Sequence, residues 1–218
     1  MVDMKAAILL VALLSVLPVG TAVRGAELTR EEAARSLSDV SAQTRRDAVA
    51  RLGEVGTMAD VPLLVKALRD PDEETRSQAD RALWRIWARS GDPEVDRLYA
   101  IGMGQMNAGD LDESIATFSR IIELKPAFAE GWNKRATLYF FVGELRKSLA
   151  DCDEVIRRNP YHYGALAGYA QIYARLGQYK RALDYARRAL EINPNLDAVR
   201  DNIDVLEHLL EQERGTTT

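Results

Sequence analysis

The chain has 218 residues, 47% of them hydrophobic and 28% charged, with a formal net charge of −4. That apolar share is enough for a packed core in one larger domain or two small ones, which argues against disorder. The charges alternate in sign without a long basic block to track a phosphate backbone, which argues against nucleic acid as a partner.

In chain order, the first segment stands apart from the rest. Met1 to Lys5 is short and polar, Ala6 to Val19 is apolar, and Pro18, Gly20 and Ala22 supply a helix break and small residues. Residues 1–22 read as a secretory signal, with cleavage expected between 22 and 26. Met4-Lys5 makes a cleaner start than Met1, because it removes Asp3 from a region that should be positive. The uncharged run 6–23 sits at the lower edge of the roughly 17–25 residues that span a bilayer, so an uncleaved N-terminal anchor is the alternative. No cysteine follows the run, so it is not a lipoprotein signal. Export with this composition points to a periplasm.

Residues 27–90 contain a short internal repeat. A shift of 31 places Leu37 on Leu68, Asp39 on Asp70, Arg45 on Arg76, Ala48 on Ala79, Leu52 on Leu83 and Val55 on Ile86. Each copy predicts a short helix (29–37, then 60–68) followed by a longer one (42–55, then 72–89). The run "DPDEE" at 70–74 suits a helix start, since proline tolerates the first turn and acids favour the positive end of the helix dipole. "ARSGDPEVD", 88–96, reads as a tight joint, and Trp84 and Trp87 are expected to pack against the unit that follows it.

From Val95 a longer period takes over. Pro126, Pro160 and Pro194 are 34 apart, and so are Gly109, Gly143 and Gly177. Three units result, 95–128, 129–162 and 163–196, each a predicted helix-turn-helix. The glycine ends the first helix in a left-handed conformation, and the proline ends the second by lacking an N–H. Small residues at the eighth position (Gly102, Ala136, Ala170) and the twentieth (Ser114, Ser148, Ala182) let paired helices approach closely. One pair cannot bury its apolar faces alone, so the units stack. Leu196, Val199, Ile203, Leu206 and Leu210 then fall at helical spacing, a capping helix over 197–213, with a disordered tail at 214–218.

Trp132, Ala136, Tyr139, Gly143 and Pro160, with Tyr169, Ala170, Tyr173, Gly177, Ala182, Ala189 and Pro194, resemble the tetratricopeptide repeat over 95–196. The first unit is the most divergent, with Gln105 where an aromatic is usual. "VPLLVKALRDPDEETRSQADRALWRI", 61–86, resembles the short HEAT-like repeat, although two copies are few for a free-standing solenoid. The fold class implied is all-α: a right-handed α-solenoid of two HEAT-like pairs, three tetratricopeptide units and a capping helix.

The resemblance also implies where a partner would bind, on the concave face lined by the first helix of each unit. Its usual ligand positions fall on Tyr99, Met103, Met106 and Asn107, then Asn133, Lys134, Thr137, Phe140 and Phe141, then Gln171 and Arg175. Asp96 and Glu130 lie on the same positions, and Gly164, Ala167, Gly168 and Ala174 leave space. Such a surface suits a peptide with a bulky apolar anchor and an acidic neighbour of Lys134 or Arg175; the alternative for Phe140 and Phe141 is packing within the stack. The carboxylate clamp of chaperone-binding members needs Lys, Asn or Arg where this chain has Tyr99, Met103, Gly164 and Gly168, so that clamp is absent.

Chemistry-bearing residues are few. The single Cys152 permits neither an intrachain disulfide nor a multi-cysteine zinc site, and it sits between Asp151 and Asp153, the wrong neighbourhood for a reactive thiol. His162 and His208 have no Ser/Cys–acid arrangement beside them, and no phosphate loop or HExxH occurs. The expectation is a non-catalytic, exported scaffold without a cofactor, metal or small-molecule substrate, binding a protein or peptide partner. The alternative is a chaperone-like accessory subunit that presents a client to an envelope or cofactor-maturation enzyme.

Overall fold

The computed structural model describes residues 27–216, so the export signal read at 1–22 and its cleavage region at 22–26 lie outside the described residues. Among the described residues all regular structure is helical, with eleven α-helices and no strand. The first four are α1 (Arg30–Ser36), α2 (Ala42–Val55), α3 (Val61–Ala67) and α4 (Glu73–Trp87), with a 3-10 turn at Met58–Asp60. Their starts are fixed locally: Thr29 and Glu32 form a reciprocal capping box on α1, and Ser41 and Asp72 accept backbone amides at the starts of α2 and α4. Arg45 donates to the Asp39 carbonyl and Arg76 to the Asp70 carbonyl, the same bond made twice, which is why those residues recur at a spacing of 31. Arg45 also forks onto the Asp70 carboxylate at 2.7 Å through two nitrogens, and that pairing lowers the Asp70 carboxyl below its ordinary range. Ala48, Leu52, Leu64, Leu68, Ala79 and Leu83 close the core between the copies.

Seven more helices follow: α5 (Pro93–Ala108), α6 (Leu111–Leu124), α7 (Ala129–Phe141), α8 (Leu145–Arg158), α9 (Tyr163–Arg175), α10 (Tyr179–Ile192) and α11 (Asp197–Thr216). Gly109, Gly143 and Gly177 turn the chain with φ of 86°, 80° and 69°, a conformation open to glycine without strain. The small eighth and twentieth positions are bonded as well as close. Ser114 Oγ donates to the Gly102 carbonyl at 2.9 Å, and Ser148 Oγ to the Ala136 carbonyl at 2.7 Å. A side chain on Gly102 would meet the Phe118 ring at 2.9 Å. At the far end α11 buries Leu206 against Ala182 and Leu183 and continues through Thr216, past 213, where a tail was expected. No proline interrupts it.

The N-terminal helices do not extend the stack in the way the sequence suggests. Trp84 and Trp87 were expected to pack on the unit beginning at Val95, and their rings meet the junction of the second and third units instead. Trp87 stacks on His162, and Trp84 meets His162 and Tyr163 edge-on. Tyr163 donates to Asp80 at 2.5 Å, Asn193 donates to the same carboxylate at 2.9 Å, and Asn195 donates to the Leu68 carbonyl at 2.8 Å. The physical reason is space: Gly164 presents no side chain, and a Cβ there would lie 2.6 Å from the Trp84 ring. Residues of α2, α3 and α4 therefore share one continuous core with Tyr163, Leu166, Tyr169 and Ile172.

Candidate functional site

The inner helices α7 and α9 and the capping helix α11 expose one side, and α4 divides that side into two halves. At their N-terminal ends, α4 covers the surface. Lys134 lies over the Trp84 ring at 5.5 Å and pairs with Glu130 at 3.4 Å. Glu130 is 1% exposed and gathers His162 Nε2 at 2.5 Å and Asn133 Nδ2 at 3.2 Å. His162 Nδ1 accepts the Ala165 amide at 3.0 Å and so caps α9, which fixes the tautomer with its proton on Nε2, directed at Glu130. Burial opposes ionisation of Glu130, but the hydrogen bond from His162, the charge of Lys134 and the Asn133 amide outweigh it, holding the carboxyl below its ordinary range. Burial and the adjacent Glu130 charge raise the Tyr99 phenol far above its usual range.

Several ligand-position residues are thus structural. Asn133 is buried on Glu130, and Tyr99 packs edge-on against Phe118 and Phe128, each 5.8 Å away. Met103 and Met106 lie against that same cluster, while Asn107 is exposed at the end of α5. Thr137 is half-buried and bonds back to the Asn133 carbonyl. The two positive points have partners within the chain: Lys134 as above, and Arg175 donating to the Phe140 carbonyl at 3.0 Å with its guanidinium over the Phe140 ring.

The C-terminal halves are open. Between α7 and α9 a cleft of about 80 Å³ is lined by Thr137, Phe140, Phe141, Gly168 and Gln171. Gln171 also borders a larger trough of about 350 Å³ between α9 and α11, floored by Ala167, Ala170 and Ala174 and walled by Asn202, Val205 and Leu209. Phe141 is 55% exposed and Val205 58%, among the most exposed large apolar side chains described. Small residues on one wall and apolar side chains on the other can take up aliphatic or aromatic groups; Cys152 and Ser148 also border the cleft, the first buried and the second donating to the Ala136 carbonyl.

Tetratricopeptide-repeat models match residues 95–128 and 133–197. A TPR repeat-containing protein of Rhizobium etli is 31% identical over 142 residues, covering 65% of this chain and 69% of that protein. The chain belongs to the tetratricopeptide-repeat family. Solved structures similar in fold include the Sgt2 TPR domain of Aspergillus fumigatus, with a TM-score of 0.54 at 20% identity over 56% of this chain and 83% of that one. The first TPR domain of Spaghetti, bound to an HSP90 peptide, gives 0.52 at 20% identity over 54% and 93%.

Seen as tetratricopeptide repeats, α5, α7 and α9 are the inner helices, and α11 occupies the place of a fourth. Carrying the period of 34 past Leu196 puts Val205 at a ninth position and Leu209 at a thirteenth, so the signal for the trough's second wall was in the sequence. Reading α11 only as a cap missed it. Cys152 is buried, and burial together with Asp151 and Asp153 pushes its thiol up to about 12. His208 is exposed on α11, bonded to Gln212. Among the described residues no group of three or more His, Cys, Asp or Glu side chains could hold a metal.

Proposed function

We propose that this protein is a non-catalytic adaptor that binds an apolar segment of a partner protein across the open half of the inner face, from the Phe141 cleft to the Val205 trough. The observation that carries this reading is the pairing of exposed Phe141 and Val205 with two alanine- and glycine-lined hollows that share Gln171. The Spaghetti domain was solved with an HSP90 peptide, which supports peptide binding as a use of this fold. An acidic C-terminal peptide is not the expected ligand here, because Lys134 and Arg175 are engaged within the chain. Of the predicted ligand positions, this reading assigns Thr137, Phe140, Phe141 and Gln171, which line the hollows, to partner contact, joined by Val205 and Leu209. In this reading α1 to α4 are HEAT-like pairs that serve as a fixed wall, and the chain acts after export, in a periplasm. The test is peptide display against the full-length chain, followed by affinity measurement of the selected peptides. Phe141→Ala combined with Val205→Glu should weaken them at least tenfold, and equal affinity for that variant overturns the site.

A further inference from the structure

Among the described residues the stack leaves a second surface uncovered, at its first repeat, and it is distinct from the inner face. In α7 and α9 the third, seventh and tenth positions of the unit face the preceding repeat. Gly131, Leu138, Ala165 and Ile172 are buried there, Arg135 bonds to Ser119 of α6, and Tyr169 bonds to Asp153 of α8. A Cβ on Gly131 would lie 2.9 Å from Ile121. The same positions of α5 are Arg97, Ile101 and Gly104, and all three are exposed, Ile101 at 43%. Among the described residues no unit covers them, because α4 has turned onto the second and third repeats.

Gly104 sharpens the case. It stands in the middle of a sixteen-residue helix, where glycine is unfavourable relative to alanine. Among the described residues nothing requires the absence of a side chain, for an added Cβ would meet no atom within 4 Å. On the same exposed face lie Ala100 and Ala108, so another helix could approach closely.

We propose that this face of α5 pairs with α5 of a second copy of the chain, antiparallel, about a two-fold axis at Gly104. Crossing there sets Ala100 opposite Ala108 of the second copy and brings Arg97 to within one residue of the level of its Asp110, just past the end of α5. Arg97 and Asp110 are both exposed, and neither makes an ion pair among the described residues. The two-fold satisfies both pairs at once and closes the assembly at two. A head-to-tail contact fits less well, because the exposed residues at the other end include Asp201, Asp204, Glu207 and Glu211 of α11 and offer little to Ile101. One helix face is at the low end of specific interfaces, so the pairing is a weak equilibrium, populated at micromolar concentrations.

The test is sedimentation of the full-length chain from roughly 1 to 500 µM, the range in which small interfaces assemble. The expected result is a mass that rises to twice the monomer and stops. Ile101→Glu should shift the midpoint at least tenfold. Arg97→Asp and Asp110→Arg should each weaken pairing, and the double variant should recover it, which a folding defect would not do. Gly104→Cys should give a disulfide-linked dimer on mild oxidation, with the buried Cys152 silent. A monomer throughout, growth beyond two copies, indifference to Ile101→Glu, or no recovery in the charge swap overturns the proposal.

Discussion

Trp87 stacks on His162 with ring centroids 4.5 Å apart and planes inclined by 22°, joining a helix that precedes the repeats to the loop between the second and the third. The imidazole is held on its other sides by Glu130 and by the Ala165 amide, so the indole closes a fully buried polar cluster. The stack therefore serves two purposes: it fastens α1–α4 to the repeats, and it keeps water from Glu130.

Trp87→Ala is expected to cost about 3–5 kcal/mol, the range for removing a large buried aromatic side chain. A urea denaturation midpoint reads it. A loss under 1 kcal/mol would mean that the N-terminal helices are only loosely attached to the stack.

Acid should weaken the fold through Glu130. Its carboxyl is held below an ordinary 4.5 when folded, so the folded state binds fewer protons than the unfolded state as pH falls through that range. The associated stability is fully present above about pH 4.5 and is lost progressively below it. Glu130→Gln should be less stable at pH 7 by about 1–3 kcal/mol, because the His162 and Lys134 contacts lose their charged acceptor. Its urea midpoint should also fall less than that of the parent between pH 5 and pH 3, and parallel curves would refute the coupling.

Two glycines one turn apart on α9 should respond with opposite sign. A Cβ at Gly164 would lie 2.6 Å from Trp84, whereas one at Gly168 meets nothing closer than Cys152 Sγ at 3.9 Å. Gly164→Ala should destabilise by about 1–3 kcal/mol through overpacking. Gly168→Ala should stabilise by about 0.5–1 kcal/mol through helix propensity. Thermal melts of the two variants against the parent check the contrast.

Cys152 should report opening of the structure. The thiol is 3% exposed and titrates near 12, so labelling by a thiol reagent at pH 8 has to wait for unfolding. Its rate should rise with urea in step with the loss of helicity, and Trp87→Ala should accelerate it in water. Rapid labelling of the native parent would contradict the burial.

The repeats themselves were legible because their markers act locally. Gly109, Gly143 and Gly177 had to take positive φ, and the residues at the eighth and twentieth positions had to be small, whatever else the chain did. The bonds of Arg45 and Arg76 to carbonyls five or six residues away are equally local, and so a spacing of 31 was visible.

Long-range placement was not legible in the same way. Trp84 and Trp87 announce a contact by their size, yet nothing within α4 says whether it meets Leu98 or His162. That was decided by the gap above Gly164 and by Asp80 finding Tyr163 and Asn193 more than eighty residues away. Lys134 and Arg175 read as free positive charges until the fold supplied Glu130, Trp84 and the Phe140 carbonyl. The sequence by itself determined which helices form and how each pair locks, through short-range sterics and capping. Only the tertiary structure decided which side chains are spent on packing and which remain for a partner, because burial depends on neighbours far away along the chain.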